Sequence, residues 1–203
     1  MDPDWFGTLI RKLIEAGPKA MATGQVRPGE PEVEGGFVPA IYSEETPAVY
    51  EGRVSGDVLC SGNMALHRSV VDTVGSFDER LGAGSRFPAA EDNDLGFRLL
   101  DAGYRIVYVP EAIVYHRAWR PKREYLPMRW KYGYGQGAFF AKHFSLRDRF
   151  MIRRMLQSLG RYASRCMRYA LRRSRLQTMG DVVYILGMLS GSGKWLLTQK
   201  RSR

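Results

Sequence analysis

Trp5, Leu9 and Leu13, with Phe6, Ile10 and Ile14 beside them, recur at the spacing of one helix face. Asp4 before them and Gly17-Pro18 after them predict a capped amphipathic helix over 5–16. Lys19 to Val26 reads as a short strand weakened by Gly24. Arg27 to Gly56 keeps no period and holds five glycines, four prolines and six glutamates, so it is expected to be a binding loop or disordered. Its Phe37, Tyr42 and Tyr50 either stack on a ligand ring or tack the loop to the body. Val58 to Leu66 is apolar around a Cys-Ser-Gly-Asn turn, and Val70, Val71 and Val74 then fall at helical spacing before a Gly75 stop. Residues 76–90 read as loop. From Glu91 the pattern is helical again, with Leu95, Leu99 and Ala102 on one face and Gly103 as terminator. Tyr104 to Val109 reads as a strand that Pro110 breaks, and Ala112 to Tyr115 is a second apolar run ending at His116. Helices alternating with short strands predict an α/β domain.

Past Arg117 the pattern changes character. Tyr132 to Gly137 is Gly-rich and aromatic, and Arg149 to Leu171 is amphipathic. Ile152, Met155, Leu156, Leu159, Ala163, Cys166 and Ala170 lie on one side of that helix, with Arg161, Arg165, Arg168, Arg172 and Arg175 as the opposing stripe. Such a helix either lies in a membrane interface or docks its apolar stripe on the body and leaves a solvated arginine face. Asp181 to Leu197, weakly apolar with Trp195 near its end, leans toward the membrane.

Charge sharpens the division. Residues 1–116 carry 10 basic and 18 acidic residues, net −8, whereas 117–203 carry 21 and 3, net +18. An acidic body followed by a basic segment predicts a partner that bears phosphate, either lipid headgroups or nucleic acid. At 203 residues, 44% hydrophobic and 26% charged, the chain is neither disordered nor fibrous. Cys60 and Cys166 stand apart with no CxxC or Cys/His cluster, so neither a disulfide framework nor a zinc site is indicated.

The candidate chemistry sits at Glu91-Asp92-Asn93-Asp94, three carboxylates in the first turn of a helix. Acidic residues there complement the helix dipole, but three exceed what capping needs. A carboxylate held at such a terminus suits a general base that takes a proton from a hydroxyl nucleophile. His116, at the end of the following strand, is the candidate metal ligand or diphosphate contact.

In serial order, Gly62-Asn63-Met64-Ala65, Val74-Gly75-Ser76-Phe77-Asp78-Glu79, Glu91-Asp92-Asn93-Asp94-Leu95, Ala102-Gly103-Tyr104-Arg105-Ile106 and Pro110 through His116 resemble the acceptor-side half of a family-two glycosyltransferase. The resemblance runs from about Asp2 to Trp119, with Ser76 and His67 as small departures. It implies the C-terminal half of a Rossmann-like GT-A domain over 1–120, followed by a basic, helical, membrane-associating region over 121–203. It also implies inverting transfer from a nucleotide-sugar donor to a hydroxyl of a glycan or lipid-linked acceptor, as in polysaccharide biosynthesis. Asp92 would be the base, Glu91 would orient acceptor hydroxyls, and Gly62, Asn63 and Asp94 would line the substrate site. His116 would help hold a divalent cation, Mn²⁺ or Mg²⁺, on the diphosphate.

The family's nucleotide-binding half and Asp-x-Asp motif normally precede the helix that opens this chain, so a truncated enzyme is expected. Asp2-Pro3-Asp4 has that spacing, but Asp4 reads as an N-cap and neither aspartate as a ligand. With residues 149–175 on an anionic membrane, the expected place is peripheral, at the cytoplasmic face of the cell membrane. A non-catalytic membrane-associated remnant is one alternative. A nucleic-acid-binding protein is another, but no helix-turn-helix, RNP or zinc signature accompanies the charge, and no nucleic-acid partner is expected.

Overall fold

In the computed structural model, which describes residues 4–199, helix α1 (Trp5–Ala16) buries Leu9 and Leu13 as their spacing predicts. Asp4 holds the N-cap position without a side-chain bond to the helix amides, its carbonyl accepting from the Thr8 amide at 2.9 Å. Asp2 lies outside the described residues. Strands β1 (Ala20–Pro28), β2 (Ala48–Tyr50), β3 (Met64–Leu66) and β4 (Arg105–His116) form a mixed sheet in the order β2-β4-β1-β3. The central pair β1–β4 is parallel, and both flanking pairs are antiparallel. The chain is thus mixed α/β.

A parallel pair needs cover on both faces. On one face Met21 and Ile106 meet Val70 of α2 (Arg68–Val74) and Leu95, Leu99 and Leu100 of α3 (Glu91–Asp101). On the other, Leu9 and Leu13 pack on Ala22, Val109 and Ala112.

Pro110 does not end its strand, contrary to the sequence expectation. The register pairs Gly24 with Val109 and then Gln25 with Ile113, so Pro110 to Ala112 form a bulge and the ladder resumes to His116. Proline has no N–H to give, and a bulge asks for none. The Asn63 amide nitrogen bridges the gap, donating to the Ala112 carbonyl at 2.7 Å and the Gln25 carbonyl at 2.9 Å. Gly24 makes room for it, since a Cβ there would fall on Asn63 and on the Ala112 carbonyl.

The long segment after β1 is neither disordered nor free. Tyr42 exchanges two main-chain bonds with Val26, at 2.7 and 3.0 Å. The Gln25 amide and the Tyr108 hydroxyl both donate to the Glu44 carbonyl, at 3.0 and 2.5 Å. Tyr42 packs edge-on against Tyr108 with ring centroids 4.9 Å apart, its hydroxyl 3.5 Å from that of Tyr50. These aromatics tack the segment to the sheet.

The chain divides into two compact units, one running up to Phe77 and including Asp92–Lys122, the other comprising Asp78–Glu91 and the chain from Arg123 onward. The second unit holds α4 (Tyr125–Lys142), α5 (Phe150–Leu171) and α6 (Arg175–Gln199). Its 78–91 segment buries Leu81 and Phe87 against Ala138, Ala141 and Trp195. Asp78 binds Arg80 and Lys142, each at 2.7 Å, and the Arg80 bonds foremost hold its carboxyl well below the usual range.

The Gly-rich run forms the middle of α4. Gly133 and Gly137 face the main-chain carbonyls of Tyr184 and Met188, and Gly187 and Gly191 face those of Trp130 and Tyr134. The two helices therefore touch backbone to backbone. Buried Asp181 accepts from Arg129 at 2.7 Å and from Arg165 at 2.7 and 3.1 Å, tying all three helices. Arg129 also lies 4.5 Å over the Tyr184 ring.

Two glycine substitutions separate close approach from helix propensity. Gly137→Ala drives a methyl into the Met188 carbonyl and is expected to cost about 1–3 kcal/mol or more. Gly160→Ala, in α5 with open space around it, is expected to gain about 1 kcal/mol. Urea denaturation followed by helical circular dichroism checks both signs.

Candidate active site

Cys60 precedes a single 3₁₀ turn, Ser61–Asn63, that leads into β3. The Asn63 side chain anchors that turn in the sheet, and the Thr23 hydroxyl donates to the Asn63 carbonyl at 3.1 Å. So held, the turn aims the Ser61 amide at Asp92, donating to Oδ2 at 3.1 Å. The other carboxylate oxygen, Oδ1, is buried and has no partner.

Asp92 is the second residue of α3. Burial foremost raises its pKa, the Ser61 bonds pull it back, and the charge of Asp57 adds to the rise. The same burial, with Asp92 beside it, pushes the Cys60 thiol up. Ala90, just before the helix, has φ +73, a left-handed conformation rare for a residue with a Cβ and costly enough to cluster where function requires it.

Asp94 is fully buried and bound to Arg98 one turn on, Nε to Oδ2 at 2.9 Å. The rest of that guanidinium donates to the Val74 carbonyl at 2.6 Å and the Ser76 carbonyl at 2.7 Å. Arg98 thereby fixes α3 to the end of α2. Its spacing of four from Asp94 is the signal from which the pair was readable.

Glu91 falls in the helical unit, next to Gly82 at φ +104, where a Cβ would approach the Glu91 carboxyl carbon to 3.0 Å. Asn63 is 2% exposed with its amide nitrogen committed to main-chain carbonyls, and Asp94 is committed to Arg98. Asn63 acts on the Ser61–Asn63 turn through these main-chain bonds, and Asp94 acts on α3 through Arg98. Gly62 lies in the turn with open space beside it: a Cβ there would meet only the Cys60 sulfur, at 3.9 Å.

His116 ends β4 with Nδ1 3.1 Å from the Pro39 carbonyl. A ring that donates its Nδ1–H to a carbonyl presents Nε2 as a lone pair, the arrangement that orients metal-ligating histidines. Its neighbours Tyr115 and Arg117 line an open groove of about 780 Å³ with Pro28, Glu30 and Glu32. Among the described residues, no three His, Cys, Asp or Glu side chains gather to hold a metal. A cation beside His116 would therefore have no protein-built cage among the described residues.

The raised Asp92 pKa has a stability consequence. A carboxyl whose folded pKa exceeds its unfolded one binds its proton more tightly in the fold, so stability falls as pH rises from the unfolded value through the folded one. Asp92→Asn is expected to be as stable as the parent at low pH and more stable at neutral pH. Thermal melts between pH 3 and 8 check this, and Asp57→Asn should shrink the difference.

A family profile described as Glycosyl transferase family group 2 matches residues 54–197. No curated protein and no solved structure matches the chain. The matched span begins before the Ser61–Asn63 turn, contains Asp92, Arg98 and His116, and continues through the helical unit nearly to its end. On that match, covering well over half of its length, the chain belongs to glycosyl transferase family group 2.

Proposed function

We propose that this chain is the acceptor-side, catalytic part of an inverting glycosyltransferase that moves a sugar from a nucleotide donor to a hydroxyl of a glycan or lipid-linked acceptor. The observation that carries the reading is Asp92: a carboxylate withdrawn from water, held through one oxygen by the Ser61 amide, with the other oxygen unpartnered. Such a group is oriented and short of hydrogen bonds, and burial makes it the better proton acceptor. Oδ1 takes the proton of the acceptor hydroxyl as that oxygen attacks the anomeric carbon. Inversion requires a single displacement and no covalent sugar–enzyme intermediate.

Glu91, its neighbour in the chain, orients acceptor hydroxyls, and Gly62 leaves space beside the turn. A divalent cation, when bound, neutralises the diphosphate leaving group. His116 is the residue here that would contribute a ligand to it.

Two measurements on the enzyme as its native cell makes it test the reading. Asp92→Asn, which keeps the shape and the Ser61 bond, is expected to lower kcat by roughly 10²–10⁴-fold in a donor-hydrolysis or transfer assay across nucleotide sugars. Retained turnover removes Asp92 from the mechanism. In the parent, the acid limb of kcat/KM should lie above the ordinary aspartate range and move down in Asp57→Asn, because the Asp57 charge contributes to the rise.

A further inference from the structure

Helix α4 carries glycines on two sides. Gly133 and Gly137, four residues apart, turn to α6. Gly135, midway between them and so on the opposite side of the helix, turns to the segment 78–91. A Cβ at residue 135 would come within 2.5 Å of the Ala89 carbonyl oxygen and 2.7 Å of the Ala89 Cβ. Beside it, Tyr134 stacks on Phe87 with ring centroids 5.4 Å apart, Ala138 and Ala141 join the cluster of Leu81 and Phe87, and Lys142 binds Asp78. This face of α4 is a seat for the segment.

What sits there is closed on itself. The Phe87 amide donates to the Arg80 carbonyl at 3.0 Å and the Gly82 amide to the Phe87 carbonyl at 2.9 Å. The Ser85 hydroxyl lies 2.9 Å from the carbonyls of both Arg80 and Phe87. Outside this ring of bonds, the Arg80 guanidinium lies 4.4 Å over the Trp195 ring. A segment so tied moves as one piece, and it meets Glu91 twice. Gly82, at φ +104, lies against the Glu91 side chain, where a Cβ would approach Oε2 to 3.2 Å. Ala89 leads into Glu91 through the left-handed Ala90. The next residue, Asp92, is held separately by the Ser61 amide.

We propose, on the reading of Glu91 given above, that Gly135 is a positioning residue for the acceptor: it admits the Ala89 peptide against α4 and so seats the segment that fixes the Glu91 carboxylate. Glycine inside a helix forfeits helix propensity, and at 133 and 137 the return is contact with another helix. At 135 the return is contact with a non-helical segment whose last residue is Glu91. Gly135 touches neither substrate nor Asp92 and acts through Ala89 alone. A displacement of the segment therefore falls on Glu91 first, and the orientation of an acceptor hydroxyl is sensitive to shifts of about 1 Å.

Gly135→Ala and Gly137→Ala, whose methyls strike different partners, are compared in the enzyme as its native cell makes it. Two rates are read across a panel of nucleotide sugars: transfer to a limiting amount of the cell's own membrane extract, and hydrolysis of the donor, in which water replaces the acceptor. Gly135→Ala is expected to lower transfer by about 10–100-fold and to leave hydrolysis, with its acid limb, within about twofold. Gly137→Ala should change both rates together. Phe87→Leu removes the ring stacking without a clash and should act as Gly135→Ala does, which keeps the test open if that variant does not fold. In the full chain, hydrogen exchange at the Gly82, Phe87 and Ala89 amides should quicken by about tenfold or more in Gly135→Ala, whereas Gly137→Ala acts first on α6 around Met188. Transfer and hydrolysis lost in equal proportion in Gly135→Ala and Phe87→Leu, or exchange in 78–91 unchanged, overturns the proposal. Hydrolysis that survives Asp92→Asn would count against the base and leave the Gly135 comparison standing.

Discussion

One side-chain amide, that of Asn63, sets the geometry of the sheet unit. Its nitrogen joins the Gln25 and Ala112 carbonyls across the bulge in β4, and this contact exists only because residue 24 has no Cβ. From it, two consequences run in opposite directions. Along the sheet, β4 survives Pro110 and carries His116 out to the Pro39 carbonyl. Back along the chain, the Ser61–Asn63 turn is fixed, and with it the amide that holds Asp92. The proposed base and the proposed cation contact are thus positioned by the same buried hydrogen bonds, in an interior where a half-satisfied polar group is costly.

The helical unit solves a different problem with different means. Three helices carrying many arginines are drawn together by one buried carboxylate, and α4 and α6 close to backbone contact through glycines at matching intervals. Each glycine loses helix propensity locally, and the unit recovers it by packing main chain against main chain. The Asp181 network gives the helices a fixed register: two guanidiniums reach one carboxylate, and aromatic rings lie against their faces.

The elements legible in the sequence were those whose signals are local. Helices α1, α2 and α3 announce themselves by apolar spacing and by Gly17, Gly75 and Gly103, all three at positive φ in the structure. Asp92 stood out because three carboxylates at one helix start exceed the needs of capping. The continuation of β4 through Pro110 was not legible, because what compensates the lost ladder bond is Asn63, 49 residues from Ala112 in sequence. The Gly-rich stretch of α4 gave no helical signal, since its preference is set by a partner helix some fifty residues later. The side of α5 that packs was obscured as well. Arg165 reads as a member of a solvated stripe, yet it is turned inward by a single aspartate on the next helix.

The path of the chain between the two units carries a consequence for how the protein can be divided. The backbone passes from the sheet unit to the helical one at Phe77, returns at Asp92 and leaves again after Lys122. A chain shortened at residue 120 would retain 78–91 and lose the helices that cover Leu81 and Phe87. Its apolar side chains would then be stranded, and the segment leading into α3 would lose its anchor. The units are therefore interleaved rather than strung in series, so a single proteolytic cut cannot yield both intact, and recombination that exchanged the basic region alone would disturb the approach to Asp92.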